Sequence, residues 1–170
     1  MRTHSPLVID VTEVLENPGT RRPLSLQARV EGLDVGLVGV PDDIRMELIL
    51  EAMDAGVLVQ GSVAGTFAGS CRRCLAEIVT PFNISVAEIY RPVSEVWEEG
   101  YVVTHTSIDL ERMVRDTVGL EIPVNPLCRA DCAGLCPTCG TDRNTNPCDC
   151  PAELGDLRWA ALKELGETNR

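Results

Sequence analysis

The sequence predicts an α+β fold: a curved antiparallel β-sheet, barrel-like or rolled, with few helices and a cysteine-rich C-terminal segment. Three observations point there. Apolar and polar residues alternate at period two in several stretches between Leu24 and Tyr90, a helical stripe of apolar residues runs from Leu110 to Val118, and six of the eight cysteines crowd between Cys128 and Cys150. At 170 residues, 44% hydrophobic and 24% charged, the chain is long enough to bury a core and is not compositionally disordered.

In chain order, Leu7–Val11 is a short apolar stretch followed by one turn of helix that Asn17-Pro18-Gly19 must end, since Pro-Gly breaks regular structure. Leu24–Val30 alternates apolar with polar side chains, as a half-buried strand does. From Ile44 the chain reads as a β-meander, with Met46, Leu48 and Leu50 on one face and Glu47 and Glu51 on the other. Asp54-Ala55-Gly56 fits a hairpin turn. It leads into a long strand, Val57–Phe67, whose glycines mark bulges or close backbone approach and imply a strongly curved sheet. Over Ile78–Tyr90, Phe82, Ile84 and Val86 alternate with Asn83, Ser85 and Ala87, and Pro81 puts this strand at an edge or a bulge. Cys71 and Cys74 fall between these two strands, so thiols sit at the tip of a hairpin.

Glu95–Gly100 reads as an acidic loop before a short strand, Tyr101–Thr104. Ser107 is placed to cap a helix over residues 108–120, with Leu110, Met113, Val114, Thr117 and Val118 on one face and Pro123 and Pro126 ending it. A last helix over Glu153–Leu165 carries Leu154, Leu157, Ala161 and Leu165 on one stripe, stopped by Gly166.

The sharpest local signal is Cys136-Pro137-Thr138-Cys139-Gly140. Such a turn curls the backbone so that both sulfurs face one point, and the glycine accepts the positive φ at its end. With Cys148-Asp149-Cys150 it makes C-x2-C-x8-C-x-C, four soft ligands suited to a closed tetrahedral zinc site of the knuckle type. Parity then sets Cys71 and Cys74 with Cys128 and Cys132, tying the hairpin tip to the chain that leaves the long helix. The other partition joins Cys128, Cys132, Cys136 and Cys139, leaving Cys71 and Cys74 with Cys148 and Cys150; its very short spacings make it less favourable. Two zinc ions are the preferred expectation and one is the alternative. The organisation expected is an antiparallel β domain with one long helix over residues 1–125, a zinc-binding segment over 126–150 and a terminal helix over 151–170.

Composition and motifs narrow the function. No apolar run reaches the roughly 18 residues of a membrane helix. Leu7-Val8-Ile9, broken by Asp10, is too short for a signal-peptide core, so a cytoplasmic chain is expected. A formal charge of -11 disfavours a broad basic surface for nucleic acid. His4 and His105, the two histidines, are distant from every cysteine pair in sequence, and no H-E-x-x-H, P-loop, Rossmann or G-x-S-x-G motif is present. A non-enzyme is expected.

Several strings together resemble the bacterial YceD family. They are Cys71-Arg72-Arg73-Cys74-Leu75, Asp109-Leu110 through Val114-Arg115-Asp116, and Leu120-x-x-Pro123-x-x-Pro126. The tail Leu127-Cys128-x-x-Asp131-Cys132-x-Gly134-Leu135-Cys136-Pro137-x-Cys139-Gly140 is similar to the metal-binding form of that family's C-terminus. The resemblance implies a role in accumulation of large-subunit ribosomal RNA, with RNA precursor or a basic ribosomal protein as partner and neither membrane nor small-molecule substrate. Arg72, Arg73 and Arg129 near one metal site would form a compact basic patch for RNA phosphates, or would balance the thiolates. Two four-thiolate zinc sites would each add about -2, which favours a basic protein partner. The alternative is a redox or metal-handling protein in which Cys71 and Cys74 cycle as a dithiol.

Overall fold

The computed structural model describes residues 6–93 and 100–151. His4, the acidic loop from Glu95 up to Gly100 and the last predicted helix lie outside the described residues. Along the chain run β1 (Val8–Asp10), α1 (Thr12–Glu16), β2 (Arg21–Ala28), β3 (Asp34–Val35), β4 (Val38–Gly39) and β5 (Ile44–Met53). Then follow β6 (Gly56–Ser70), β7 (Glu77–Pro92), β8 (Tyr101–Thr104), β9 (Ser107–Asp109) and α2 (Glu111–Glu121). The strands form one sheet of nine, curled into a half-barrel. Its order is β1-β9-β8-β7-β6-β4-β3, with β5 also on β6 and β2 on β5.

Alternation places the core as expected. Ile44, Met46, Leu48 and Leu50 are buried on the inner face of β5, while Glu47 and Glu51 face outward. There Glu47 accepts from the Ser25 hydroxyl at 2.8 Å and Glu51 pairs with Arg21 at 2.9 Å. The β6–β7 register runs unbroken from Val57↔Tyr90 to Ser70↔Glu77. The glycines of β6 therefore mark close approach and not bulges: a Cβ on Gly65 would lie 2.7 Å from the Phe82 ring, and one on Gly69 would lie 2.0 Å from the Leu37 carbonyl oxygen. At about 3.3 Å per residue, the 15 residues of β6 make a curved path roughly 50 Å long from the base of the hairpin to its tip. Pro81 pairs with Thr66 of β6 in a stretch of β7 that has no second strand partner among the described residues, the edge position its missing N–H requires.

The sheet is antiparallel as expected at every pairing among the described residues but one, where β8 joins β7 in parallel from Tyr90↔Tyr101 to Pro92↔Val103. Two expectations need correction. Ser107 does not cap a helix but begins β9, sandwiched between β1 and β8, and this pairing buries Ile108 completely. The helix starts at Glu111, whose N–H is taken by the Asp109 carboxylate at 2.9 Å. It stops at Ile122, extended at ψ 122° because the next residue is Pro123. The sequence places His105 at the junction between the Tyr101–Thr104 strand and the helix; it lies instead in the β8–β9 turn with a left-handed φ of 57°. The short pair β3 and β4, not foreseen, packs against the far end of β6 through Val38↔Gly69.

Met113, Val114 and Val118 on α2, with Leu110 just before it, are fully buried and belong to the same core cluster as the inner face of the sheet. Tyr90 on β7 ties β8 and β9 together just ahead of α2: its hydroxyl donates to the Asp109 carbonyl at 3.1 Å and its ring stacks on Tyr101 at 5.2 Å. Burial raises the Tyr90 hydroxyl pKa, so it stays a donor. No helix among the described residues is long and apolar enough to cross a membrane.

Candidate metal centre

The cysteines rest on two turns built alike. In the first, the Cys71 carbonyl accepts from the Leu75 N–H at 2.9 Å and the Cys71 N–H donates to the Ala76 carbonyl at 2.8 Å. In the second, the Cys136 carbonyl accepts from the Gly140 N–H at 2.8 Å and the Cys136 N–H donates to the Thr141 carbonyl at 2.8 Å. Each Cys-x-x-Cys ends in a left-handed residue, Leu75 at φ 61° and Gly140 at φ 74°. Gly140 thus does what its position predicts, and Leu75 takes the same conformation at the steric cost of a side chain.

The cysteine-rich segment then folds back onto the hairpin tip. Arg72 donates its N–H to the Pro126 carbonyl at 2.9 Å, and the Leu135 N–H donates to the Arg73 carbonyl at 2.9 Å. This brings the sulfurs of Cys71, Cys74, Cys128 and Cys132 within 4.8 Å of one another, and likewise those of Cys136, Cys139, Cys148 and Cys150. The eight cysteines therefore group in the first of the two partitions. The sulfurs of Cys71 and Cys132 are 3.8 Å apart and those of Cys74 and Cys128 3.6 Å. A disulfide needs about 2.05 Å. A tetrahedral ion with metal–sulfur bonds of about 2.3 Å spaces its sulfurs about 3.8 Å apart, so the donor set and its dimensions fit a metal ion.

The backbone already prepares these sulfurs for an ion. Burial raises the Cys71 thiol, but the N–H groups of Cys74, Cys128 and Arg73 outweigh it and bring it down to about 6. The Cys139 and Thr138 N–H groups hold Cys136 at about 6. Their neighbours go the other way, because thiols packed together without a cation oppose a second ionisation. The Cys74 thiol and burial push Cys128 up to about 12, and the Cys139 thiol and burial push Cys150 up to about 12. Cys74 and Cys148 are raised as well: burial and the Cys71 and Cys132 thiols override the Ala76 N–H at Cys74, and the Cys136 thiol leads at Cys148. A divalent cation would remove that opposition.

The family described as Large ribosomal RNA subunit accumulation protein YceD matches residues 59–166 of the chain. The chain belongs to the YceD family. An uncharacterized protein of Mycobacterium tuberculosis is 34% identical over 172 residues, covering 95% of this chain and 82% of the relative. An uncharacterized protein of Mycobacterium leprae is 33% identical, covering 95% of this chain and 78% of its own. Large ribosomal RNA subunit accumulation protein YCED homolog 1, chloroplastic, of Arabidopsis thaliana is 38% identical over 60 residues, 35% of this chain and 19% of that protein. No solved structure matches. The name YceD refers to ribosomal RNA accumulation and not to a reaction.

In this YceD chain the three predicted arginines surround the first cluster, and each is also used internally. Arg72 donates to the Asn125 side chain, Arg73 to the Cys132 carbonyl at 2.8 Å, and Arg129 to Asn144 Oδ1 at 2.8 Å while pairing with Asp131 at 3.3 Å. A guanidinium carries five N–H donors, so all three retain donors for a partner. Sequence reasoning missed Asn144, whose amide donates to the Cys132 sulfur at 3.4 Å, and Asp142, which orients Asn144. The available signal was Asp142-x-Asn144, a spacing at which an aspartate takes the N–H two residues on, here at 2.9 Å.

Proposed function

We propose that this YceD protein is a non-enzymatic factor supporting accumulation or assembly of large-subunit ribosomal RNA. In this reading two zinc ions staple the surface it uses, one held by Cys71, Cys74, Cys128 and Cys132, the other by Cys136, Cys139, Cys148 and Cys150. The observation that carries it is the composition of the first cluster, half from the hairpin tip and half from the chain after α2. One ion there cross-links distant parts of the fold, which is the work of a structural site. Zinc bound by four thiolates supplies closed coordination with no open position for a substrate.

Around that staple, Arg72, Arg73 and Arg129 present guanidinium groups on a chain of formal charge -11. A patch so confined suits contact with a few phosphates of precursor RNA, and the acidic remainder suits a basic ribosomal protein. Filter binding of large-subunit precursor RNA across a salt series tests the RNA arm. Replacing Arg72 and Arg73 with Ala is expected to weaken binding and flatten the salt slope by about 0.7–0.9 per arginine. Unchanged affinity would end the RNA role for these residues, and pull-down of a ribosomal protein without RNA would then identify the partner. The dithiol reading needs an accessible Cys71, and Cys71 has no exposed surface.

A further inference from the structure

Asn144 belongs to the loop that closes the second cluster, between Cys139 and Cys148, yet its amide nitrogen donates to the sulfur of Cys132 in the first. All four hydrogen-bonding positions of this amide are in use. Nδ2 also donates to Asp142 Oδ1 at 2.7 Å, and Oδ1 accepts from the Ala133 N–H and from Arg129, both at 2.8 Å. The network assigns the orientation, because the Ala133 N–H can only donate and must face the oxygen, leaving the nitrogen toward sulfur.

The loop that carries Asn144 is seated on the link between the clusters. Arg143 donates its N–H to the Gly134 carbonyl at 2.9 Å, and Leu135 pairs with Asp142 as an isolated bridge. The Asn146 N–H closes the turn on the Asp142 carbonyl at 2.9 Å. Anything that orders the segment from Cys139 to Cys148 therefore delivers an amide donor to Cys132. A hydrogen bond to a ligating sulfur stabilises its thiolate and fixes its direction.

We propose that Asn144 is the joint between the two metal sites: metal in the second cluster fixes the Asp142–Asn146 turn, holds Asn144 on the Cys132 sulfur and so raises the metal affinity of the first cluster. Binding is then positively cooperative, and by linkage metal in the first cluster raises affinity at the second by the same factor. Asn144 is a positioning residue, since it touches a ligand and not the ion. This inference rests on the reading of both clusters as metal sites.

The test loads the full chain with cadmium-113 and follows the two resonances during chelator titration. The resonance lost in Cys148→Ser belongs to the second cluster. Asn144→Asp, nearly isosteric but turning an acceptor toward the sulfur, is expected to shift the first-cluster resonance and lower that site's affinity roughly 10–100-fold. Asn144→Ala should do the same, whereas Asn146→Ala, in the same loop without a sulfur contact, should do neither. Cys148→Ser should also weaken the first site, and combining it with Asn144→Ala should add little. Unchanged first-cluster affinity in the Asn144 variants, or fully additive losses, overturns the proposal. Should both Asn144 variants fail to fold, Cys148→Ser alone decides, because unchanged first-site affinity there excludes coupling. A wild-type chain that takes up fewer than two ions defeats the metal reading instead, while two ions with independent affinities defeat only the coupling.

Discussion

Gly134 and Gly140 share one backbone conformation, φ 73° and 74°, but not one environment. A Cβ on Gly140 would meet nothing within 4 Å, whereas a Cβ on Gly134 would lie 3.0 Å from the Arg73 carbonyl oxygen and 3.2 Å from the Arg73 Cβ. Alanine in the left-handed region costs about 1–2 kcal/mol, and its less flexible unfolded chain offsets about 0.4–1 kcal/mol. Gly140→Ala is thus expected to lose about 1 kcal/mol. Gly134→Ala suffers the same strain and must also move the segment off the hairpin tip, lengthening the bond from the Leu135 N–H to the Arg73 carbonyl, now 2.9 Å. A backbone hydrogen bond contributes about 1 kcal/mol net, so Gly134→Ala should lose about 2 kcal/mol. Urea denaturation of both variants at one fixed excess of zinc measures the gap, since bound metal adds to stability by mass action. Equal losses, or a larger loss in Gly140→Ala, would refute the seating of this segment on the hairpin.

The metal-free thiols of Cys74, Cys128, Cys148 and Cys150 have raised pKa values and are protonated at pH 7. Binding two zinc ions should therefore release at least those four protons, and affinity should be lost as pH falls, because the bound thiolates have the depressed pKa values; calorimetry in buffers of different ionisation enthalpy counts the protons, and none released would contradict the thiolate sites. Leu75, left-handed at φ 61° and 60% exposed, has strain to lose and little packing. Leu75→Gly is expected to raise stability by about 0.5–1 kcal/mol in the same urea series, and a loss of about 1 kcal/mol or more would show that the side chain is packed.

The meander was legible because each face of β5 has one fate, so Met46, Leu48 and Leu50 identify themselves by spacing alone. The cysteine grouping was legible for a related reason: both turns obey a local rule, and the shorter-range set closes on itself, leaving the remaining four to meet across the fold. Ser107–Asp109 was not legible. A serine before a helical stripe is a good cap locally, but two neighbouring strands claim its backbone, and pairing of that kind is invisible in a window of residues. The parallel β7–β8 pair and the two-residue strands β3 and β4 fail for the same reason, since their partners and not their composition define them. Asn144 escaped because its target sulfur belongs to the other cluster, a relation that exists only after the segment has folded back.

Metal content of the intact chain by native mass spectrometry, for the wild type and for Cys71→Ser and Cys148→Ser, tests the account most directly. Two zinc ions in the wild type and one in each variant is the predicted result. A wild-type chain without metal, or a single substitution that releases neither ion, would contradict two separate four-cysteine sites.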